Sequence, residues 1–143
     1  MAVYTKLSEN QLKEFFSKYN LGKLLNYKEI KEGIENTNYF IQTEKGKFIL
    51  TLYEKRVEEK DLPFFISLMR NLYDKNFPSP EPIINKNGNY ISDILGKKAA
   101  VVSFLEGLSK RFFIKLIKKG KSFSSTLFSY KVRINLPFSV RIK

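Results

Sequence analysis

Gly33-Ile34-Glu35-Asn36-Thr37-Asn38-Tyr39-Phe40-Ile41-Gln42-Thr43-Glu44-Lys45-Gly46-Lys47-Phe48-Ile49-Leu50-Thr51-Leu52-Tyr53 decides the fold. Asn38 to Thr43 reads as one strand and Lys47 to Tyr53 as its return, rich in Phe, Ile, Leu and Tyr. Glu44-Lys45-Gly46 is the turn between them, with Gly46 free to take φ > 0. The result is a β-hairpin. Along the returning strand, period two puts Thr51, Tyr53 and Lys55 on one face and Leu50 and Leu52 on the other.

Before the hairpin, Ser8 and Gln11 form a capping-box pair. Leu12, Phe15, Phe16 and Tyr19 follow at i, i+3, i+4 and i+7, one face of a helix that Asn20 and Gly22 can end. Leu24 to Lys31 is read as a strand. After the hairpin, Asp61 is expected to cap a second helix with Pro63 in its first turn. Phe65, Met69 and Leu72 form its core stripe, widened by Ile66, Leu68 and Tyr73. Phe77-Pro78-Ser79-Pro80-Glu81-Pro82 stops that helix and forces an extended link. Strands at Ile83-Ile84, Tyr90 to Ile94 and Ala99 to Phe104 follow, with turns at Asn87-Gly88 and Gly96-Lys97. After Gly107 this grammar stops. Arg111 to Lys121 is weakly amphipathic, and the remainder has no sustained period.

Charge divides the chain at the same place. Up to Glu106 there are sixteen basic and fourteen acidic residues; Gly107 to Lys143 holds ten basic residues and no acidic one. The formal +12 therefore belongs mostly to the tail. Taken whole, a pI near 9.8 suggests an anionic partner; the near-neutral first part weakens that inference. With no Cys and no His, the chain lacks thiolate metal sites, the usual general base and every His-containing triad. No apolar stretch reaches the ~18 residues of a membrane span, and no signal peptide is visible, so the expected location is cytoplasmic.

Four features resemble sites. Gly33 to Asn38 can fold over a polyphosphate, with backbone N–H groups and the Asn36, Thr37 and Asn38 side chains as donors. The local sequence alone favours an ordinary β turn, because such residues dominate turns. On the strand that follows, Thr51 or Lys55 could reach a nucleotide, although a terminal Glu-Lys-Arg is also a common solvated strand end. Ala99 to Gly107 is a buried strand running into Glu-Gly; it suits a hinge whose backbone at Ser103, Phe104, Leu105 and Glu106 meets an adenine edge, or simply a core strand ending at a turn. The basic tail could contact phosphate backbones or lipid head groups, which gives the alternative reading of a small nucleic-acid- or anionic-lipid-binding protein. The lack of any organised face in the tail argues against it.

Together, Tyr4-Thr5-Lys6, Leu21-Gly22, Glu32 to Tyr39, Ile49 to Val57, Asp61 to Phe65 and Val102 to Gly107 resemble bacterial homoserine kinase of the aminoglycoside phosphotransferase (protein-kinase-like) group. The resemblance runs in register from about Met1 to Gly107. It implies an α+β fold, the kinase N-terminal lobe: a twisted antiparallel sheet with packed helices over residues 1–107, followed by a basic low-complexity tail over 108–143. It also implies ATP with Mg²⁺, and phosphorylation of the L-homoserine hydroxyl in threonine biosynthesis. Gly33, Asn36, Thr37, Asn38, Thr51 and Lys55 would then lie at the phosphates, and Ser103 to Glu106 at the base. Such folds usually pair a strand lysine with a helix glutamate. Here the register gives Thr51, and the helix offers Phe65 and Ile66. The family's catalytic and metal-binding residues lie in a second lobe with His-x-Asp and Asp-Phe type motifs. This chain has no Asp after Asp93, so no catalytic or metal residue is assigned and the chain alone is expected to be inactive. A frame slip after Gly107, or a separately encoded C-terminal lobe as partner, would account for the missing half. No nucleic-acid partner is expected.

Overall fold

Alternation along the hairpin builds the centre of a five-stranded antiparallel sheet. The computed structural model describes residues 5–31, 36–54, 58–76 and 79–105. Strands β1 (Leu24–Ile30), β2 (Thr37–Thr43), β3 (Gly46–Leu52), β4 (Ile91–Ile94) and β5 (Lys97–Ser103) lie in the order β1-β2-β3-β5-β4. The predicted hairpin is β2–β3, paired from Thr37↔Leu52 to Thr43↔Gly46, with Gly46 at φ 147°. A helix, α1 (Glu9–Ser17), precedes the sheet, and α2 (Leu62–Asp74) connects β3 to the β4–β5 pair.

The sheet's two faces carry separate apolar clusters. Tyr39, Ile41, Phe48, Leu50, Leu52, Ala99 and Val101 pack with Leu12, Phe15, Phe16 and Tyr19 of the α1 segment. On the other face Ile49, Tyr53, Ala100 and Val102 pack with Leu62, Ile66 and Met69 of α2. Period-two geometry thus sends adjacent β3 residues to different helices, as the split between Leu50/Leu52 and Tyr53 predicts.

The caps show where sequence reading held and where it did not. Ser8 Oγ accepts the Gln11 N–H at 3.2 Å, and Gln11 Oε1 accepts the Ser8 N–H at 2.8 Å, completing the capping box. Asp61, by contrast, makes no side-chain cap bond. The chain enters α2 from a 3₁₀ turn (Glu59–Asp61), which leaves Asp61 in helical geometry (φ −87°, ψ −18°) instead of the extended geometry a capping carboxylate needs. Tyr73 does not widen the core stripe; it is exposed, with the Arg70 guanidinium 5.7 Å from its ring centroid.

Ile83-Ile84 is not a strand of its own. The segment flanks the end of β5 through a Pro82↔Val102 bridge and an Ile83 N–H bond to Val101 O of 2.9 Å. Proline cannot donate to a ladder, which limits the pairing. The β4–β5 turn is Leu95-Gly96, one residue earlier than expected, with φ of 49° and 72°; Lys97 already pairs with Ile94. Gly22 (φ +76°) is needed for a second reason: a Cβ there would lie 2.7 Å from Glu44 Oε2, the oxygen that accepts the Lys23 N–H.

Candidate functional site

The polar residues of the decisive stretch gather where β2 begins and β3 ends. Asn38 pairs with Thr51, and Thr51 with Ala100, so all three share the α2 side of the sheet. Thr51 Oγ1 donates to Asn38 Oδ1 at 2.8 Å. Asn36, just before β2, accepts the Glu54 N–H through its own Oδ1 at 3.4 Å. Both asparagines are fully buried, at 0 % exposure, and among the described residues both amide nitrogens lack a hydrogen-bond partner. Buried donors are seldom left in this state, since an unmade bond costs about 1–3 kcal/mol. Each side chain has its oxygen tied to the framework and its N–H₂ unspent. Such a pair is suited to an acceptor, and an anionic oxygen is the strongest acceptor available.

Four residues along β3 toward the opposite end of the sheet lies the predicted hinge. Glu81 holds Ser103 by backbone and side chain: the Ser103 N–H donates to Glu81 O at 2.9 Å, and its hydroxyl accepts the Glu81 N–H at 2.9 Å. The Phe104 N–H donates to Lys47 O at 3.0 Å. The Phe104 ring stands edge-on to Phe40, with centroids 5.2 Å apart. Leu105 N–H has no partner among the described residues. Between the two ends runs an apolar floor of Phe40, Ile49, Val102 and Phe104 on the same sheet face. At about 3.3 Å per strand residue, hinge and asparagine pair are roughly 13 Å apart.

Thr37 faces the other way. Its hydroxyl donates to Glu54 Oε1 at 2.7 Å, and Thr5 Oγ1 donates to the same oxygen at 2.8 Å. Glu54 Oε2 is paired with the Lys97 ammonium, which also donates to the Thr5 hydroxyl. Thr5 N–H closes the ring by donating to Thr37 Oγ1 at 3.2 Å. Burial opposes ionisation of Glu54, but the bonds from Lys97, Thr37 and Thr5 outweigh it and hold the carboxyl below its ordinary range. Sequence reading had treated this Glu as part of a solvated strand end; its side chain is only 10 % exposed. Its partners come from Thr5, Thr37 and Lys97, too far apart in the chain for any local pattern to reveal them.

The structure thus brings Asn38 and Thr51 together on one face with Asn36 just before them, sets Thr37 on the reverse, and places Phe104 at the far end of that face, with Ser103, the partner of Phe48, turned to the reverse and Leu105 following. Gly33, Lys55 and Glu106 lie outside the described residues, as do Gly107 and the basic tail. Thr51 is bonded to Asn38 of the neighbouring strand, and Phe65 and Ile66 of α2 are buried in the core. Among the described residues no three carboxylate, His or Cys side chains come together to hold a metal ion.

Comparison with known proteins bears on the family and the fold. Homoserine kinase from Beijerinckia indica is 53 % identical over 108 residues, covering 76 % of this chain and 34 % of that protein. Homoserine kinase from Bartonella tribocorum is 50 % identical over 107 residues, 75 % of this chain and 34 % of the relative. The chain therefore spans about a third of the length of the curated relatives it matches. A crystal structure of spectinomycin phosphotransferase, solved with ADP and spectinomycin, superposes with a TM-score of 0.58 at 15 % identity over 71 % of this chain and 31 % of that one, a likeness of fold. The sequence model of the phosphotransferase enzyme family, APH, matches residues 26–111, more than half of the chain, and the chain belongs to that family.

Proposed function

We propose that this chain is the nucleotide-binding lobe of an ATP-dependent kinase that phosphorylates the side-chain hydroxyl of L-homoserine. One observation carries the nucleotide reading. Two buried amides, with their oxygens committed and their nitrogens unspent, stand at one end of an apolar sheet face, and hinge backbone stands at the other. The separation suits a nucleotide lying along the face, its base edge toward Ser103, Phe104, Leu105 and Glu106. Asn36 and Asn38 then donate to phosphate oxygens, assisted by Gly33, Thr51 and Lys55, while Thr37, turned to the reverse face, holds the start of the strand. The names of the relatives supply the substrate.

Phosphoryl transfer is catalysed mainly by positioning and charge neutralisation. This lobe contributes positioning: donors for the phosphates, an apolar floor for the base, and exclusion of water from both. Metal binding and proton removal from the homoserine hydroxyl belong to a second lobe, whether in a longer chain or as a separate partner. The basic tail is read as sequence outside the family's frame, beginning near residue 111, where the family match stops; resequencing the locus tests this, because a second frame encoding a His-x-Asp lobe is the expected find. The cell location proposed is the cytoplasm. Among the described residues no helix is long and apolar enough to cross a membrane.

A coupled assay of the purified 143-residue chain with ATP and L-homoserine is expected to show no turnover above background. Measurable turnover would overturn the division of labour between the lobes. Adding a second-lobe polypeptide of the family is expected to restore activity with L-homoserine.

A further inference from the structure

The ring around Glu54 does more than neutralise a buried carboxylate. Three other points of the chain meet on it: the N-terminal segment at Thr5, the start of β2 at Thr37 and the start of β5 at Lys97. Thr37 sits between the two asparagines with unspent donors. Strand alternation means that fixing Thr37 on the α1 side turns Asn38 to the α2 side. Glu54 also holds Asn36 directly, because its own N–H donates to Asn36 Oδ1 and leaves the nitrogen end of that amide free. One residue thus holds Thr37 by its carboxylate and Asn36 by its backbone.

We propose that Glu54 is a positioning residue, which acts through Thr37 and Asn36 to set the direction in which Asn36 and Asn38 offer their amide nitrogens to a phosphate. The inference rests on the nucleotide reading above. Its physical content is pre-organisation: donors already aimed lose little freedom when an anion arrives. A carboxylate serving only to anchor the N-terminal segment would hold Thr5 and leave the asparagines indifferent to its charge. Among the described residues, Lys97 is the charged side chain that reaches Glu54, and Thr5 and Thr37 are the remaining side chains bonded to it.

Side-chain amide signals of the ¹⁵N-labelled full chain test this without any ligand. As pH falls from about 7 to about 3, the Asn36 and Asn38 NH₂ signals are expected to move together with the Thr5 and Thr37 backbone amides in one transition below the ordinary carboxylate range. In Glu54→Gln that transition is lost. Lys97→Arg retains it and Lys97→Met displaces it upward. If Thr5 and Thr37 respond while Asn36 and Asn38 do not, the cluster is a local anchor and the proposal fails. Should Glu54→Gln not fold, Thr37→Val keeps the carboxylate paired with Lys97 and Thr5 while cutting its hold on β2; unchanged Asn36 and Asn38 signals in that variant likewise overturn the proposal.

A titration with inorganic tripolyphosphate and with adenosine supplies the functional arm. Glu54→Gln is expected to weaken tripolyphosphate about tenfold, the scale of one charge-assisted bond misaligned, and to leave adenosine unchanged. Equal weakening of both ligands, or of neither, overturns positioning. If the asparagine signals follow Glu54 but tripolyphosphate shifts no residue of the wild-type chain, positioning stands and the nucleotide reading is the one that fails.

Discussion

Asn38 and Thr51 show how much a single bond can reveal. Thr51→Val removes the donor to Asn38 Oδ1 and leaves a second unpaired atom on a side chain that already carries one. The expected cost is about 1–3 kcal/mol, read as a lower urea midpoint at unchanged m-value. The double variant Asn38→Leu/Thr51→Val removes both polar partners and is expected to regain most of that loss, since an apolar pair of similar shape leaves nothing unsatisfied. Its affinity for ATP should nevertheless fall. Stability and binding would then move in opposite directions, the signature of a polar group kept for a ligand. From sequence, Asn36, Thr37, Asn38 and Thr51 were legible as a polar set near a turn. That Thr37 faces away from the two asparagines was not legible, because the loop-to-strand boundary fixes the phase of the alternation and the strand begins one residue earlier than the pattern suggests. The Glu54 ring was invisible for a different reason: long-range ion pairs leave no periodic trace.

Among the elements, the turn between β4 and β5 carries backbone strain. Leu95 holds φ of 49° and Gly96 φ of 72°, the signs of a type I′ turn, and Leu95 is 54 % exposed with no packing role to justify leucine. A left-handed conformation costs a branched L-residue roughly 1–2 kcal/mol. Leu95→Asn is therefore expected to stabilise the lobe by about 1 kcal/mol, a rise of several degrees in Tm by calorimetry, without change in ligand binding. Sequence reading put this turn at Gly96-Lys97 because leucine is a poor marker for positive φ; the glycine was recognised, its position within the turn was not. The same limit applied to Asp61. A carboxylate before an apolar helix reads as a cap, but the 3₁₀ turn ahead of α2 can only be seen once tertiary packing has placed Leu62 in the core. Ser8 succeeded where Asp61 did not, since its capping box is a local, reciprocal pair.

At the scale of the whole molecule, the absence of His and Cys leaves no side chain with an ordinary pKa between the carboxylates and the tyrosines and lysines. Stability should be flat across the neutral range. On the acid side, Glu54 has a folded value below its ordinary 4.5, so its contribution is present above the unfolded value and is lost as pH falls through the folded one. On the alkaline side, burial raises Tyr19, Tyr39 and Tyr53 above 10.0; their contribution holds below that value and is lost as pH rises through the folded ones. A Tm–pH profile is expected to show a plateau with two shoulders, the acid one reduced in Glu54→Gln. The fold class was legible because the hairpin, the two helices and the hinge strand each carried a local signal; the strand order was not, since only β1–β2–β3 and β4–β5 neighbour one another in sequence. That order also bears on how the chain folds. β1–β2–β3 is a meander and β4–β5 a tight hairpin, so both can form from nearby residues, whereas pairing Phe48 with Ser103 must close a loop containing all of α2. The β3–β5 seam is then the late event, the joining of two preformed pieces. Val101→Ala, at the seam, is expected chiefly to speed unfolding, and substitutions in the β2–β3 turn chiefly to slow refolding, a contrast that stopped-flow chevrons can measure. The last contact the sheet makes would thus be the strand pair that joins its two pieces, and it is the first to open.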